Sequence, residues 1–373
     1  MEPVCDLVLL SWDHLEETQP CLESLFAHTD VPCRLFIVDN GSKPHVREFL
    51  RGVRPQGAVQ DVVFIQHETN EGFPRGMNAG LRASRAPYVC LLNNDLLFTA
   101  EWLSRMLEVA DAHPQIGVLN PASSTFGEHP PRGMSLDAYA NSLNAKRGLY
   151  VEVGMCIGFC MVIKRAVIDQ IGVLTEEVER IFFEDEDYCM RAQVAGFQCV
   201  VAHGAYVFHA EHRTVKRMGE RERIFQRNQR WCEQRWGRRL RIAYPRFAPV
   251  APGSSDLRQW LEQLVAHARR RRYIYAYCPA VDRLSARELF RSVGLIPHAD
   301  IQWRPLPAAG SRLAAIASIL GRRKKRFDVV VAPDARWATL IRSLRWVHGA
   351  EVVQATDQEQ LERICQIQSR SPS

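Results

Sequence analysis

Four acids in a row, Glu184-Asp185-Glu186-Asp187, are the densest reactive feature of the sequence. Acids are electrostatically favoured at the start of a helix, but four neighbours repel. At least one of them needs a raised pKa or a cationic partner. Asp187 and Arg191 lie four apart and suit an intrahelical pair, which leaves Glu184 and Asp185 facing the cleft end of the helix. Carboxyls in such a position serve as general bases. Three further polar groups follow short apolar runs: Ser11-Trp12-Asp13, Asp39-Asn40-Gly41-Ser42 and Asn93-Asn94-Asp95. Asp95 is a hard oxygen ligand of the kind that suits Mg²⁺ or Mn²⁺. The plainer readings are helix capping for the acids and turn formation for the Asn and Asp residues.

The elements that must position these residues alternate from the first residues onward. Leu7–Leu10, Leu35–Val38, Val62–Ile65, Tyr88–Leu92 and Ile116–Leu119 read as strands, with helical patterns near 14–28, 75–85 and 100–112. This predicts an α/β fold with a mainly parallel sheet and helices on both faces, in which ligands bind outside the carboxyl ends of the strands. Residues 122–151 are rich in Gly, Pro, Ser and Asn and read as a mobile connection or lid. Residues 154–163 read as a strand, 184–195 as a helix, 198–208 as one or two strands and 212–240 as a long basic helix. Residues 247–255 form a Pro/Gly/Ser linker. Beyond it a second β/α alternation predicts a small C-terminal α/β domain. The expected division is therefore 1–246, the linker 247–255, and 256–373.

Several segments, taken together and in order, resemble the family 2 glycosyltransferases, especially rhamnosyltransferase-like members. They are Leu9–Asp13, Ile37–Ser42, Asn70–Gly80, Leu91–Asp95, Gly158–Val162, Glu184–Arg191 and Phe208-His209, and the likeness covers about residues 5–240. The resemblance implies a GT-A fold, a nucleotide-diphosphate sugar donor, a divalent metal (Mg²⁺ or Mn²⁺) and inversion at the anomeric carbon. It implies Asp95 as metal ligand with His209 as a second, and Asp185 as the base that activates an acceptor hydroxyl, with Glu184 orienting the acceptor. Ser11, Asp13, Asp39, Arg75, Asn78 and Asn94 would surround the donor nucleotide, while Gly158 and Phe159 would line the sugar and acceptor cleft. The glycines of 70–80 allow backbone to approach phosphate and a helix to pack close to a strand. Phe159 also reads as a core aromatic, Arg75 as a solvated arginine and His209 as a packed strand-end histidine.

Composition narrows the classes. Apolar residues make up 46% and charged residues 24%, as in an ordinary globular chain, and no run approaches a membrane span. The N-terminus carries acids where a signal peptide has a basic start. Eleven scattered cysteines without a CxxC pair read as reduced thiols of a cytoplasmic chain. Residues 1–209 hold 16 Lys/Arg against 27 Asp/Glu, and residues 210–373 hold 32 against 15. The acidic part suits cations, and the basic part suits phosphates or an anionic surface. The helix at 212–240, with Phe225, Trp231 and Trp236 among its arginines, reads first as packed on the catalytic domain. Contact with anionic lipid, and so a membrane-peripheral location with a lipid-linked or saccharide acceptor, is the second reading; no nucleic acid is expected. A non-catalytic sugar-nucleotide-binding scaffold, recruiting a partner through its basic C-terminal domain, is the alternative function.

Overall fold

The computed structural model describes residues 2–210, 220–248, 250–279, 285–307, 309–322 and 324–370. Contacts divide them into two units. The first reaches to Val151 and resumes over Met155–Trp231; the second holds Glu152–Gly154 and the residues from Cys232 on.

The first unit contains β1 (Cys5–Ser11), β2 (Cys33–Asn40), β3 (Val59–His67), β4 (Tyr88–Leu92), β5 (Leu96–Phe98), β6 (Ile116–Ala122), β7 (Tyr150–Glu152), β8 (Cys160–Lys164) and β9 (Gln198–His209). Among the described residues the strands lie in the order β3-β2-β1-β4-β8-β6-β9-β5, with β7 beside β9. β3, β2, β1 and β4 are parallel, β8 runs antiparallel between β4 and β6, and β9 is parallel to β6. Leu7, Leu9, Leu35 and Ile37 are fully buried, as are their alternating neighbours Val8 and Val38. Such strands are covered on both faces, which is why they read as continuous apolar runs. The helix Phe73–Ala83 lies so close over β1 that a Cβ at Gly76 would stand 2.4 Å from a Leu10 methyl. The close packing expected of this glycine segment is therefore present. The ends of β1, β2 and β4 share one edge of the sheet, and the polar groups near 11–13, 39–42 and 93–95 emerge there.

The second unit is a parallel sheet of β10 (Leu240–Pro245), β11 (Arg272–Pro279), β12 (Ile301–Leu306), β13 (Val329–Ala332) and β14 (Glu351–Gln354), in the order β12-β11-β10-β13-β14. Ile242, Ile274, Val329 and Val331 centre one face of its core with Leu261 and Leu264 from the helix Ser255–Ala268. The expected α/β class, with a mainly parallel sheet and a second, smaller α/β unit, is what the structure has.

The boundaries differ from expectation in definite ways. The helix expected over 212–240 spans Arg221–Trp236, and 211–219 lie outside the described residues. Leu240–Pro245, expected in the first domain, is the middle strand of the second sheet; its partners β11 and β13 are distant in sequence, so the local pattern gave no sign of them. The expected linker 247–255 consequently falls inside the second unit, where it leads from β10 into the helix Ser255–Ala268. The segment expected as a lid at 122–151 is anchored where Ala122, Ala140 and Leu143 are buried against Tyr206 of β9, and is mostly exposed between those points. All eleven cysteines are free thiols and all are buried. No described helix is long and apolar enough to cross a membrane.

Candidate active site

Loops at the carboxyl edge of the first sheet enclose a cavity of about 690 Å³. Asn94, Asp95, Gly158, Phe159, Glu184, Asp185 and His209 all line it.

Asp95 and His209 meet because β5 pairs antiparallel with the end of β9, opposing Leu96 and His209. His209 Nε2 lies 3.1 Å from Asp95 Oδ1, while its Nδ1 is 2.8 Å from the Thr125 hydroxyl. The imidazole is stacked on Phe159, with centroids 5.0 Å apart and planes inclined by 10°. In the tautomer whose Nδ1–H donates to Thr125, Nε2 carries a lone pair; in the other, Nε2–H donates to Asp95 Oδ1. Asn93 Nδ2, 3.4 Å from Nε2, suits the first tautomer. A lone pair facing a carboxylate oxygen at this distance repels it unless a proton or a cation intervenes. An imidazole nitrogen and a hard oxygen, with the second ring nitrogen fixed by a hydrogen bond, therefore fit a divalent metal.

Glu184 and Asp185 open the helix Glu184–Val194. Glu184 is 4% exposed and its Oε2 has no hydrogen-bond partner. Burial, followed by the neighbouring Asp185 charge, holds its pKa well above the ordinary value. Asp185 is half-buried and accepts from Glu186 N at 2.8 Å and Gly158 N at 3.4 Å. Burial raises its pKa to about 6, against the pull of those amides. The expected Asp187–Arg191 pair forms at 2.8 Å, and Arg191 further donates to the carbonyls of Ile171 and Val173. The row of acids thus separates into Asp187, paired with Arg191 deep in the fold, and Glu184, Asp185 and Glu186, which line the cavity.

The loop before this helix is strained. Arg180, Phe182 and Phe183 have φ of 58°, 80° and 73°, a left-handed region that costs non-glycine residues of order 1–3 kcal/mol each. One side chain anchors the loop. Asn228, 1% exposed on the helix Arg221–Trp236, accepts from Glu179 N at 3.0 Å and donates to the carbonyls of Glu179 and Ile181 at 2.9 and 2.8 Å. Phe225 packs on Phe182 and Phe183, and Arg223 and Arg227 pair with Glu179. The described part of the basic helix is therefore held by Asn228 and the buried Ile224, while Phe225, though it meets Phe182 and Phe183, stays 38% exposed. On the other side Phe73 N donates to Arg180 O at 2.5 Å, and a Cβ at Gly72 (φ +87°) would stand 2.7 Å from Arg180 Cα.

Five expected donor residues do not line the cavity. Ser11 is buried and reaches it only through Thr18, whose Oγ1 lies 3.3 Å from Ser11 Oγ and accepts from cavity-lining Asn94 at 2.8 Å. Asp39 accepts from Ser42 N at 2.9 Å and Arg47 Nε at 3.1 Å, so both of its oxygens are engaged. Asp13 accepts from Lys43 N at 2.9 Å and ties the loop after β1 to the loop after β2. Asn78 binds the backbone of Leu174 through both ends of its amide, at 2.9 Å. Arg75 is exposed, with Glu176 3.9 Å away. Ser11, Asp13, Asp39 and Asn78 thus hold the frame of the site, while Arg75 does not. In exchange the structure brings in residues not singled out by the sequence reading. Asn40 lines the cavity and bridges Asn70 and the Gly72 carbonyl, Thr125 orients His209, and Asn228 anchors the strained loop. Asn40 sits beside Asp39 in a polar strand end; Thr125 and Asn228 carried no motif signal.

Residues 11–172 match the model of "Glycosyl transferase family 2". The chain is 26% identical over 129 residues to the succinoglycan biosynthesis protein ExoM of Rhizobium meliloti, covering 35% of this chain and 41% of that one. It is 25% identical over 185 residues to the low-salt glycan biosynthesis hexosyltransferase Agl10 of Haloferax volcanii, covering 46% and 57%. The chain spans between 28% and 57% of the length of the curated relatives it matches. Among solved structures, it is similar to the mannosyltransferase PcManGT from Pyrobaculum calidifontis in complex with GDP-Man and Mn²⁺. That similarity has 13% identity and a TM-score of 0.44, over 57% of this chain and 59% of that one.

Proposed function

We propose that the first unit, whose residues 11–172 match the model of "Glycosyl transferase family 2", moves a hexosyl group from a nucleotide-diphosphate sugar to a hydroxyl of a saccharide or lipid-linked saccharide, with inversion. The observation that carries this reading is the shared cavity, which has Asp95 and His209 as one pair and Glu184 and Asp185 as another. Its 690 Å³ is of the size that small-molecule sites take. The names of ExoM and Agl10, one a glycan-biosynthesis protein and the other a hexosyltransferase, support glycan assembly as the context.

Asp95 and His209 are the residues that would hold a divalent cation, which as a Lewis acid neutralises the departing diphosphate. Asp185 is the base. Its carboxylate takes the proton of the acceptor hydroxyl as that oxygen bonds to the anomeric carbon and the carbon's bond to the diphosphate oxygen breaks. Its pKa of about 6 leaves it mainly ionised at neutral pH, yet basic enough to accept a proton. Glu184, whose pKa burial holds well above the ordinary carboxylate value, orients the acceptor. Asn228 acts through the loop 179–183, which sets where both carboxyls stand.

The test is release of nucleotide from dTDP-, UDP- and GDP-sugars, with Mn²⁺ or Mg²⁺ and with chelator. Metal-dependent release from one donor, stimulated by a saccharide acceptor, is expected. No metal-dependent release from any of them rejects the reading in favour of a binding scaffold.

A further inference from the structure

We propose that the second unit carries a ligand site of its own, a cleft at the carboxyl ends of β10, β13 and β14 that takes an uncharged saccharide ring. The chain builds this sheet outward from β10 to β11 and β12, then returns to lay β13 and β14 on the other side of β10. The connections therefore diverge between β10 and β13. In an open parallel sheet such a reversal leaves a crevice beyond the strand ends, and ligands bind there. A cavity of about 480 Å³ occupies this place, walled by residues that follow β10, β13 and β14 and by the helix Ser255–Ala268.

The chemistry of the walls selects the ligand. Gln358 Nε2 donates to the Tyr244 hydroxyl at 3.3 Å and to Ala355 O at 2.7 Å, and the Tyr244 hydroxyl donates to Gln263 Oε1 at 3.0 Å. This chain fixes the sense of both amides. It leaves Gln263 Nε2 as a donor and Gln358 Oε1 as an acceptor, neither with a protein partner among the described residues. Trp260, 6% exposed, lines the same cavity, and its indole Nε1 also lacks a partner. Of the three, the Trp260 Nε1 is shielded from water, and a buried donor in this state is costly unless something hydrogen-bonds it, whereas the two amides are partly open to solvent. Phe247 and Trp260 also line the cleft, with the Arg312 guanidinium 4.9 Å from the Phe247 ring centroid.

A phosphate suits the cleft poorly. The helices after β13 and β14 already have carboxylates at their positive ends, where Asp334 accepts from Trp337 N and Asp357 from Gln360 N, both at 2.9 Å. Ser254 caps the helix Ser255–Ala268, with Asp256 in its first turn. The Arg246 guanidinium lies 5.6 Å from the Trp260 ring centroid and is paired with Asp256. Fixed amide donors and acceptors beside aromatic faces are what a sugar ring needs, with hydroxyls on its edge and C–H groups on its face. The proposal goes beyond the transfer reaction, and its test needs no turnover.

The sugar of a nucleoside offers related chemistry, so the experiment has two arms. The full chain is applied to an array of neutral oligosaccharides, hits are titrated by calorimetry, and thymidine and uridine are titrated alongside. At least one neutral oligosaccharide should bind. Gln263→Ala should weaken it about tenfold or more, and Asp185→Asn should leave it unchanged. Thr356→Trp, at an exposed position on the rim, should block it at an unaltered melting temperature, which covers the case in which Gln263→Ala disturbs folding. The proposal is overturned if no oligosaccharide is retained, if both cleft variants bind as the parent does, or if only the nucleosides bind.

Discussion

Glu184 in the first unit is buried without a cationic partner among the described residues, whereas Glu362 in the second is half-buried among Arg270, Arg272 and His267. Their pKa values move in opposite directions. Burial, reinforced by Asp185, raises Glu184; burial opposes the ionisation of Glu362 as well, but hydrogen bonds from Arg272 and His267 hold it well below the carboxylate range. The second unit neutralises its withdrawn charge, as a structural element must. The first holds two adjacent carboxyls at a cavity, Glu184 without a cationic partner among the described residues and Asp185 met only by backbone amides, beside a strained loop anchored by an asparagine. A sequence that sustains such a cost at one place reserves it for chemistry.

This contrast can be broken in several ways. The largest effect expected is at Asp185: Asp185→Asn should lower the transfer rate about 10²–10⁴-fold with the melting temperature kept, since it removes the base but little packing. A variant that retained its rate would place the reactive carboxylate elsewhere. Glu362→Gln should act on stability alone, costing about 2–3 kcal/mol at pH 7 in denaturant titration, because it removes charged hydrogen bonds to Arg272. Asn228→Ala should leave a folded enzyme with kcat reduced about tenfold or more and donor KM little changed, because the loop it anchors precedes the acids. A change in donor KM alone would assign Asn228 to donor binding.

The smallest effect is the most discriminating, because the two glutamates should respond to pH with opposite sign. A carboxyl with a raised folded pKa costs the protein stability as pH rises from its unfolded pKa to its folded one. Glu184→Gln should therefore be neutral near pH 4 and increasingly stabilising as pH rises towards 8. A depressed pKa contributes stability above the unfolded value and loses it as pH falls, so the deficit of Glu362→Gln should shrink in acid. Transfer itself should rise with pH through about 6 as Asp185 ionises. A flat stability difference across pH for Glu184→Gln would mean that the acid is not withdrawn from water as described.

The sequence reading reached the parts of this arrangement whose causes are local. Apolar runs gave the strands of the first sheet, polar residues after β4 gave Asn94 and Asp95, and the row of acids at a helix start gave Glu184 and Asp185; these four line one cavity. Asp39 and Asp13 were placed near the donor, but an Asx-type turn and a cross-loop tie use their oxygens, an outcome decided by Ser42, Arg47 and Lys43. Asn78 is held by a segment 96 residues away, and Asn228 holds one 47 to 49 residues away. Neither spacing carries a period that a single sequence reveals. Leu240–Pro245 was assigned to the wrong unit for the same reason, since its place in a sheet depends on strands that come later in the chain.

The burial of every native thiol has a practical use. Maleimide reagents need an accessible thiolate, so a cysteine introduced at Val194 or Trp346, which are 74% and 84% exposed, should label selectively without removal of the other eleven. Paired fluorophores at these two sites would give a direct ruler between the units during a catalytic cycle.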